Sequence, residues 1–413
     1  MKVLILNALY HPNVTGGAER SVQLLAESLV HQGVEVVVAS TVARGKARTD
    51  HINGVRVVYV PMVNVHWPYD GVARSGLQRK LWHVLDAYNP LMRAAVAALI
   101  RQETPTVVHT NNLQGFSVSA WSAARTARLP VLHTLRDYYL SCARASRYHG
   151  GRNCVQTCLE CRPFGTTRRL ASAQVAGVAG ISRFILEVHR GLGFFSQARV
   201  WQMIPHASWM TAAASLPRPA SPVVTFGYLG RLEAMKGLDV LLDSFGARTD
   251  AGWRLLVAGE GSAAYLDHLR ARHAALPARD AIHFSGWTDP DTFLRSIDVL
   301  VLPSLWHDPL PRVILEAAAH GVPTIASRRG GIPELIDDGV NGLLFEPDDP
   351  RALPAAVDGL LTDRARLDGL RMATLQHAGR RTDEHVATDY LYAYRVLLAP
   401  ATASAAPVTS ALG

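Results

Sequence analysis

The stretch KVLILNALYHPNVTGGAERSVQLLAESLVHQGVEVVVAS, residues 2–40, decides the fold class. Its opening run, KVLIL, suits a strand buried on both faces of a parallel sheet. In GGAERSVQLLAESLVHQG the apolar residues Val22, Leu25, Ala26, Leu29 and Val30 recur at helical spacing, and Gly33 ends the helix. VEVVVAS is a second strand. The three segments make a βαβ unit opened by a Gly-Gly turn. Further out, VRVVYV (55–60), TVVHT (106–110) and PVLHT (130–134) are strand-like, and helical segments such as AYNPLMRAAVAALIRQ alternate with them. That alternation predicts a doubly wound parallel sheet.

The composition turns to Ala, Pro and Ser over 211–222, which reads as a linker. Beyond it the pattern restarts. VVTFGYLGR, WRLLVAGEGSA, AIHFSGW, DVLVLPS, VPTIAS and GLLFEP read as strands running into loops, with helices such as GLDVLLDSFGA between them. The expected organisation is an N-terminal domain over 1–210 with a Cys-rich insertion at about 140–165, the linker at 211–222, and a C-terminal domain over 223–382. An amphipathic helix follows at 383–400 and packs back toward the N-terminal domain, and 401–413 is a disordered tail. The fold class is α/β, two doubly wound Rossmann-like domains facing a cleft. Ligands bind outside the carboxyl ends of such strands.

The chain has 413 residues, 48% hydrophobic, 18% charged, with a formal net charge of +8. That length exceeds one ordinary core. The basic excess suits a phosphate-bearing partner or an anionic surface, and equally plain solubility. No apolar run approaches the ~20 residues that span a bilayer, and the opening MKVLILNALY, which reaches HPNVTGGAER without a small-residue cleavage site, is not expected to act as a secretory signal. The expected location is cytoplasmic, where cysteines are reduced, metal-bound or catalytic.

Three segments carry candidate chemistry. In GRLEAMKG (230–237), Arg231 and Lys236 flank a turn into a helix, a diphosphate clamp or a solvated surface pair. In SLWHDPLPRVILEAAAHG (304–321), Pro309 and Pro311 enter a helix over 311–320 that Gly321 and Pro323 end. Asp308 precedes that helix. Glu316 lies on it among Val313, Ile314 and Leu315, where a buried acid needs a partner. Both acids can accept from sugar hydroxyls, or serve as a capping acid and a chance glutamate. In RRGGIPELIDDGVNG (328–342), Gly330 and Gly331 free a tight loop that lets backbone approach a ligand closely.

The order and spacing of these segments resemble the nucleotide-sugar glycosyltransferases of family 4, the retaining group with the GT-B fold. The resemblance covers nearly the whole chain. It rests on GGAERSVQLLAESLVHQGVEV, GRLEAMKGLDVLLDSF, VAGEGS, FSGW and above all PSLWHDPLPRVILEAAAHGVPTIASRRGGIPELIDDGVNGLLF. It implies a UDP- or GDP-linked sugar donor held by the C-terminal domain, with no catalytic metal. Arg231 and Lys236 match the positions that neutralise the diphosphate leaving group, as a metal would otherwise do. Glu316 matches the acid that holds the ribose, and Asp308 the one that contacts the donor sugar. Gly16 and Gly17 match the glycine loop near donor phosphate and acceptor.

Three residues depart from the family pattern. Asp308 stands where Glu is usual, Pro311 where many members have Gly, and Arg136, in HTLRDYYL, where many have the His of a His-Asp pair. Arg136 is permanently charged and larger, so it puts transfer rate and donor identity in question, with His109 and His133 as nearby substitutes. Cys142, Cys154, Cys158 and Cys161 fall close together. They read as a structural tetrahedral zinc site, as free structural thiols or as a regulatory disulfide. One branch of the family carries similar cysteines.

The function implied is transfer of a sugar to a glycan or lipid-linked acceptor in surface polysaccharide synthesis. A peripheral membrane contact through Trp67, Tyr69, Arg74, Arg79, Lys80 and Trp82 is expected with it. The alternatives are a catalytically weakened sugar-nucleotide-binding protein and, ranked lower, a nucleic-acid-binding protein using the cysteine cluster, although the charge is spread over two α/β domains.

Overall fold

The computed structural model describes residues 1–14, 16–207, 221–378 and 381–400. Most of the linker at 211–222 and all of the tail at 401–413 lie outside them. The chain divides into two compact units, one of 1–147, 154–206 and 383–413, the other of 148–153 and 207–382.

The first unit begins with β1 (Lys2–Leu6), α1 (Gly17–His31), β2 (Glu35–Val42), β3 (Arg48–Ile52) and β4 (Val55–Pro61). Then come α2 (Gly76–Ala87), α3 (Pro90–Glu103), β5 (Val107–Thr110), α4 (Ser119–Thr126) and β6 (Val131–Leu135). A short hairpin, β7 (Tyr148–His149) and β8 (Arg152–Asn153), belongs to the second unit. The chain returns through α5 (Arg162–Ser172), β9 (Gly177–Gly180), α6 (Arg183–Gly191) and β10 (Val200–Met203). The sheet order is β10-β9-β6-β5-β1-β2-β4-β3. All pairings are parallel except β3 with β4. The pattern of β1, α1 and β2 is as the sequence predicts, with Val22, Leu25, Ala26 and Leu29 buried against the sheet.

Two local features differ from the sequence reading. The helical segment 87–102 is split: α2 stops at Ala87, and Asn89 caps α3 by accepting from the amides of Leu91 and Met92. Pro90 forces this, because the residue before a proline avoids helical geometry. Strand β3 was not foreseen. Its register, Ile52 opposite Val55, closes on Asn53-Gly54, both at positive φ, the signature of a type I′ hairpin turn. It is an edge strand, mostly exposed, so it lacks the apolar alternation that marks a strand.

The second unit holds β11 (Val224–Leu229), α7 (Leu238–Gly246), β12 (Trp253–Ala258), α8 (Ala263–Ala274), β13 (Ile282–Gly286) and α9 (Pro290–Ser296). It continues with β14 (Val299–Leu302), α10 (Arg312–Ala319), β15 (Thr324–Ser327), β16 (Gly342–Phe345), α11 (Ala352–Thr362) and α12 (Arg364–His377). Its sheet runs β13-β12-β11-β14-β15-β16, all parallel. The strand order reverses between β11 and β14. At such a switch point the loops leave in opposite directions and open a crevice at the carboxyl edge.

The terminal helix α13 (Asp383–Leu398) belongs to the first unit. It buries Ala387, Tyr390, Leu391, Tyr394 and Leu397 in that unit's core.

Candidate active site

The loops after β11, β14 and β15 meet at the carboxyl edge of the second sheet, and they carry most of the expected donor residues. Lys236 closes a one-turn helix, Ala234–Lys236, in the loop after β11. Gly237 follows at φ 78°, and a Cβ there would lie 1.8 Å from the Pro303 carbonyl oxygen. Only glycine lets the two loops come this close. The Met235 carbonyl oxygen then accepts from the amides of Leu305 and Trp306, at 3.0 and 3.3 Å. Lys236 Nζ reaches Asp308 Oδ2 at 2.7 Å, and its charge lies 5.0 Å from the centre of the Trp306 ring. The two side chains are only 15% and 8% exposed, so each charge is compensated chiefly by the other.

Gly330 and Gly331 pack on the backbone of the same acid. Gly330 has φ 58°, and a Cβ would fall 2.2 Å from the Asp308 carbonyl oxygen. The Gly331 amide donates to that oxygen at 2.8 Å. The glycines therefore make room for Asp308's own loop, whereas the sequence reading gave that room to a ligand. His307 accepts the Gly330 amide on Nδ1 at 3.2 Å. His307 and Trp306 were not singled out in the sequence. Their neighbours in HDPLP hid them, since a His or Trp beside a proline-bounded acid carries no spacing signal of its own.

Arg231 and Glu316 are held less tightly. Arg231 is 62% exposed and pairs with Glu233 at 2.7 Å. Glu316 lies on α10, as expected, but it is not an acid buried among apolar neighbours. Its side chain is 31% exposed and sits 3.4 Å from Arg312 Nε one turn earlier. The apolar residues face the other way: Ile314, Ala317 and Ala319 are the ones buried.

Gly16, Gly17 and Arg136 lie at the carboxyl edge of the first sheet. Gly16 caps α1 with extended backbone, and Gly17 begins the helix. Arg136 Nε donates to Asn111 Oδ1 at 2.9 Å, joining the loops after β6 and β5. Beside it, burial pushes the Asp137 carboxyl up to about 6, against the lowering effect of the Tyr139 amide and two arginines.

The structure also places the other residues singled out in the sequence. His109 and His133 are buried core groups, not substitutes at a reacting centre. His109 bonds Thr134 at 2.7 Å and Tyr394 at 2.7 Å, while His133 bonds Thr110 at 2.8 Å. Burial drives both imidazoles toward the neutral form, His133 to about 3. The four cysteines are free. Among the described residues no group of three or more His, Cys, Asp or Glu is arranged to hold a metal ion. Cys142 and Cys161 are buried, whereas Cys154 and Cys158 lie nearer solvent. Cys142 is drawn down to about 5 by contact with Cys161 and by backbone amides of Arg147, Ser146 and Arg144. Trp82 points into the fold, its indole donating to the His66 carbonyl at 2.9 Å, so it is no surface contact. Tyr69 is held by Gln114 and Arg74 by Asp70. A depression of about 520 Å³ lined by Met1, Gln32, Leu391 and Arg395 lies at the amino edge of the first sheet, away from all these residues.

Comparison with known proteins agrees with this architecture. Residues 16–207 match the family described as glycosyl transferase 4-like domain, and residues 223–363 match glycosyl transferases group 1. An uncharacterized 42.6 kDa protein in the cps region of Klebsiella pneumoniae is 31% identical over 81% of this chain and 87% of its own length. A sucrose-phosphate synthase from Thermosynechococcus elongatus has the same fold, with TM-score 0.74 and 19% identity over 96% of this chain and 98% of that one. An Anabaena protein solved with UDP and glucose gives TM-score 0.67 at 18% identity, over 96% and 99% of the two chains. Parallel α/β sheets in two units and these neighbours define a GT-B protein. The chain belongs to the group 1 glycosyltransferases, family 4, and is a transferase.

Proposed function

We propose that this glycosyltransferase moves a sugar, with retention, from a UDP- or GDP-linked donor to a glycan or lipid-linked acceptor in surface polysaccharide synthesis. The observation that carries the donor reading is the Lys236–Asp308 pair at the switch point of the second sheet. Lys236 has three donors and gives one to Asp308, leaving two for a diphosphate. Arg231 is exposed on the loop that carries Lys236 and can swing from Glu233 to the same phosphates. Their positive charge stabilises the departing diphosphate. Asp308 takes donor-sugar hydroxyls, and Glu316 takes the ribose. Gly330 and Gly331 shape the loop around the sugar. Gly16, Gly17 and Arg136 stand at the carboxyl edge of the first unit's own sheet, and the part given to them, toward donor phosphate and acceptor, rests on the family pattern alone. The acceptor hydroxyl attacks as the bond to phosphate breaks, and its proton passes to a leaving-phosphate oxygen.

The relative from a cps region supports the polysaccharide part of the reading, and the neighbour solved with UDP and glucose supports the donor class. No helix among the described residues is long and apolar enough to cross a membrane, so a lipid-linked acceptor would be met at a surface. Helix α2 is suited to that. Leu77, Leu81, Val84, Leu85 and Tyr88 stand 37–68% exposed along one face. Arg79 and Lys80 are exposed on the same helix, and its one acid, Asp86, is buried. An apolar stripe with only positive exposed charge fits an anionic lipid surface.

A thermal-shift titration with UDP- and GDP-sugars tests the donor reading. A donor at a hundred times its dissociation constant raises stability by roughly 2.7 kcal/mol, and Glu316→Ala is expected to abolish most of that gain. A wild-type protein that responds to no sugar nucleotide refutes the proposal.

A further inference from the structure

The hairpin β7–β8 lies inside the Cys-rich insertion, yet its residues belong to the unit that carries Asp308. Its register pairs Tyr148 with Asn153 and His149 with Arg152, so Gly150-Gly151 forms a two-residue turn with both φ positive. That is the tight type I′ geometry, which leaves the strand ends little freedom. The strand ends on Asn153. The next residue, Cys154, donates its amide to the Arg147 carbonyl at 2.7 Å, which closes the base of the hairpin. Arg147 Nη2 braces the exit by donating to the carbonyls of Cys154 and Val155, at 2.6 and 3.0 Å.

At this fixed point the Asn153 carboxamide uses both of its ends. Nδ2 donates to the Leu305 carbonyl at 2.7 Å, and Oδ1 accepts the His307 amide at 2.8 Å. A single side chain thus satisfies the backbone groups on either side of Trp306, immediately before Asp308. A carboxamide does this without charge, because it carries a donor and an acceptor side by side. The loop so held is also the loop bonded to Met235, to Gly330 and to Lys236.

We infer that Asn153 is a positioning residue for the donor sugar: it fixes the Leu305–His307 backbone so that Asp308 keeps its place against Lys236. The inference rests on the donor reading above. It goes beyond that reading by giving the insertion a role in choosing the sugar. Asn153 acts through Asp308, so its loss is felt at the sugar and not at the nucleotide.

The test titrates the full chain, wild type and the variants N153A and N153D, with UDP, GDP, UDP-glucose and GDP-mannose. Asn153→Ala removes both bonds. Asn153→Asp keeps the acceptor for His307 but sets a carboxylate against the Leu305 carbonyl. The expected result is a loss of about tenfold in sugar-nucleotide affinity in either variant, the scale of one to two neutral hydrogen bonds. Affinity for the bare nucleotide should stay within about twofold. Where N153A yields no folded protein, N153D carries the same comparison. Equal loss of both ligands, or a lowered melting temperature with the sugar preference intact, makes Asn153 merely structural and overturns the inference. A wild-type chain that binds neither class of ligand refutes the donor reading itself, a distinct failure.

Discussion

Lys236 and Asp308 are 72 residues apart in the chain and 2.7 Å apart in space. Each is the other's main compensation, so removing one leaves a charge with little water around it. Lys236→Ala is expected to cost roughly 1–3 kcal/mol of stability as Asp308 loses its partner. It should also lower turnover by about a hundredfold or more if the ammonium stabilises the leaving diphosphate. Denaturant melts and initial rates check the two effects separately. A milder change makes the same point through the backbone. Gly330→Ala puts a Cβ 2.2 Å from the Asp308 carbonyl oxygen at a φ that disfavours alanine. It should displace Asp308 and cut sugar-nucleotide affinity without removing any side chain that contacts the ligand. Both acids and both cations were legible in the sequence as types at a spacing. What each one holds was not: Glu316 and Arg312 form a local pair four residues apart, whereas Lys236 with Asp308 is a long-range contact that no spacing encodes.

At the scale of elements, α2 is instructive because its buried face carries an acid, Asp86, beside Trp82 and Ala87. Asp86 accepts from the Gly115 amide at 2.7 Å, from the Tyr139 hydroxyl at 2.6 Å and from Arg168 at 3.2 Å. Arg168 also stacks on the Tyr139 ring at 3.8 Å. With Trp82 packed beside this network, the helix is anchored without its leucines, which are left facing outward. The expected consequence is sedimentation of the protein with vesicles containing anionic lipid. Leu81→Glu with Val84→Glu should abolish it while the fold is kept, since neither side chain contributes to the core. Binding that survives the double change would remove α2 as the contact. The sequence reading named this region, and of its residues Arg79 and Lys80 are exposed on α2. It also offered Trp82 and Tyr69 as surface groups; the fold buries Trp82, whose indole donates to the His66 carbonyl, and half-buries Tyr69 beside Gln114. The hairpins at Asn53-Gly54 and Gly150-Gly151 were written in the sequence as well, but each flanks strands too short or too exposed to show alternation.

For the whole molecule, the chain's end completes the unit in which it began. Tyr394 hydrogen-bonds buried His109, and Tyr390 reaches Thr134 at 3.1 Å. Truncation after Thr382 should therefore leave the first unit's core open and drive the protein into aggregates, as solubility on expression would show. The buried histidines also set a pH dependence. Burial lowers His83 and His189 to about 4 and His133 to about 3, against 6.5 for the exposed group. As pH falls below 6.5 the unfolded chain takes up these protons before the folded one, so stability declines through the window from about 6.5 toward 4. Asp137, raised to about 6 from 3.8, acts in the opposite sense over part of that range, favouring the fold at lower pH. The lowered histidines, His109 among them, outnumber the raised carboxyls Asp137 and Asp86. The melting temperature should fall between pH 7 and pH 5, and a variant with His133→Gln should show a shallower slope.

The sequence by itself determined the alternation of strand and helix, the two sheets and the family. These follow from hydrophobic period and local turn chemistry, which act over a few residues and are written along the chain. Only the tertiary structure decided which groups meet. The Gly330 loop packs on Asp308, Met235 carries the Leu305 loop, and Asn153 of the insertion reaches a backbone more than a hundred residues away. Such contacts depend on where strands lie in the sheet order and on how closely two backbones can approach. Neither quantity has a period that can be read from residue order.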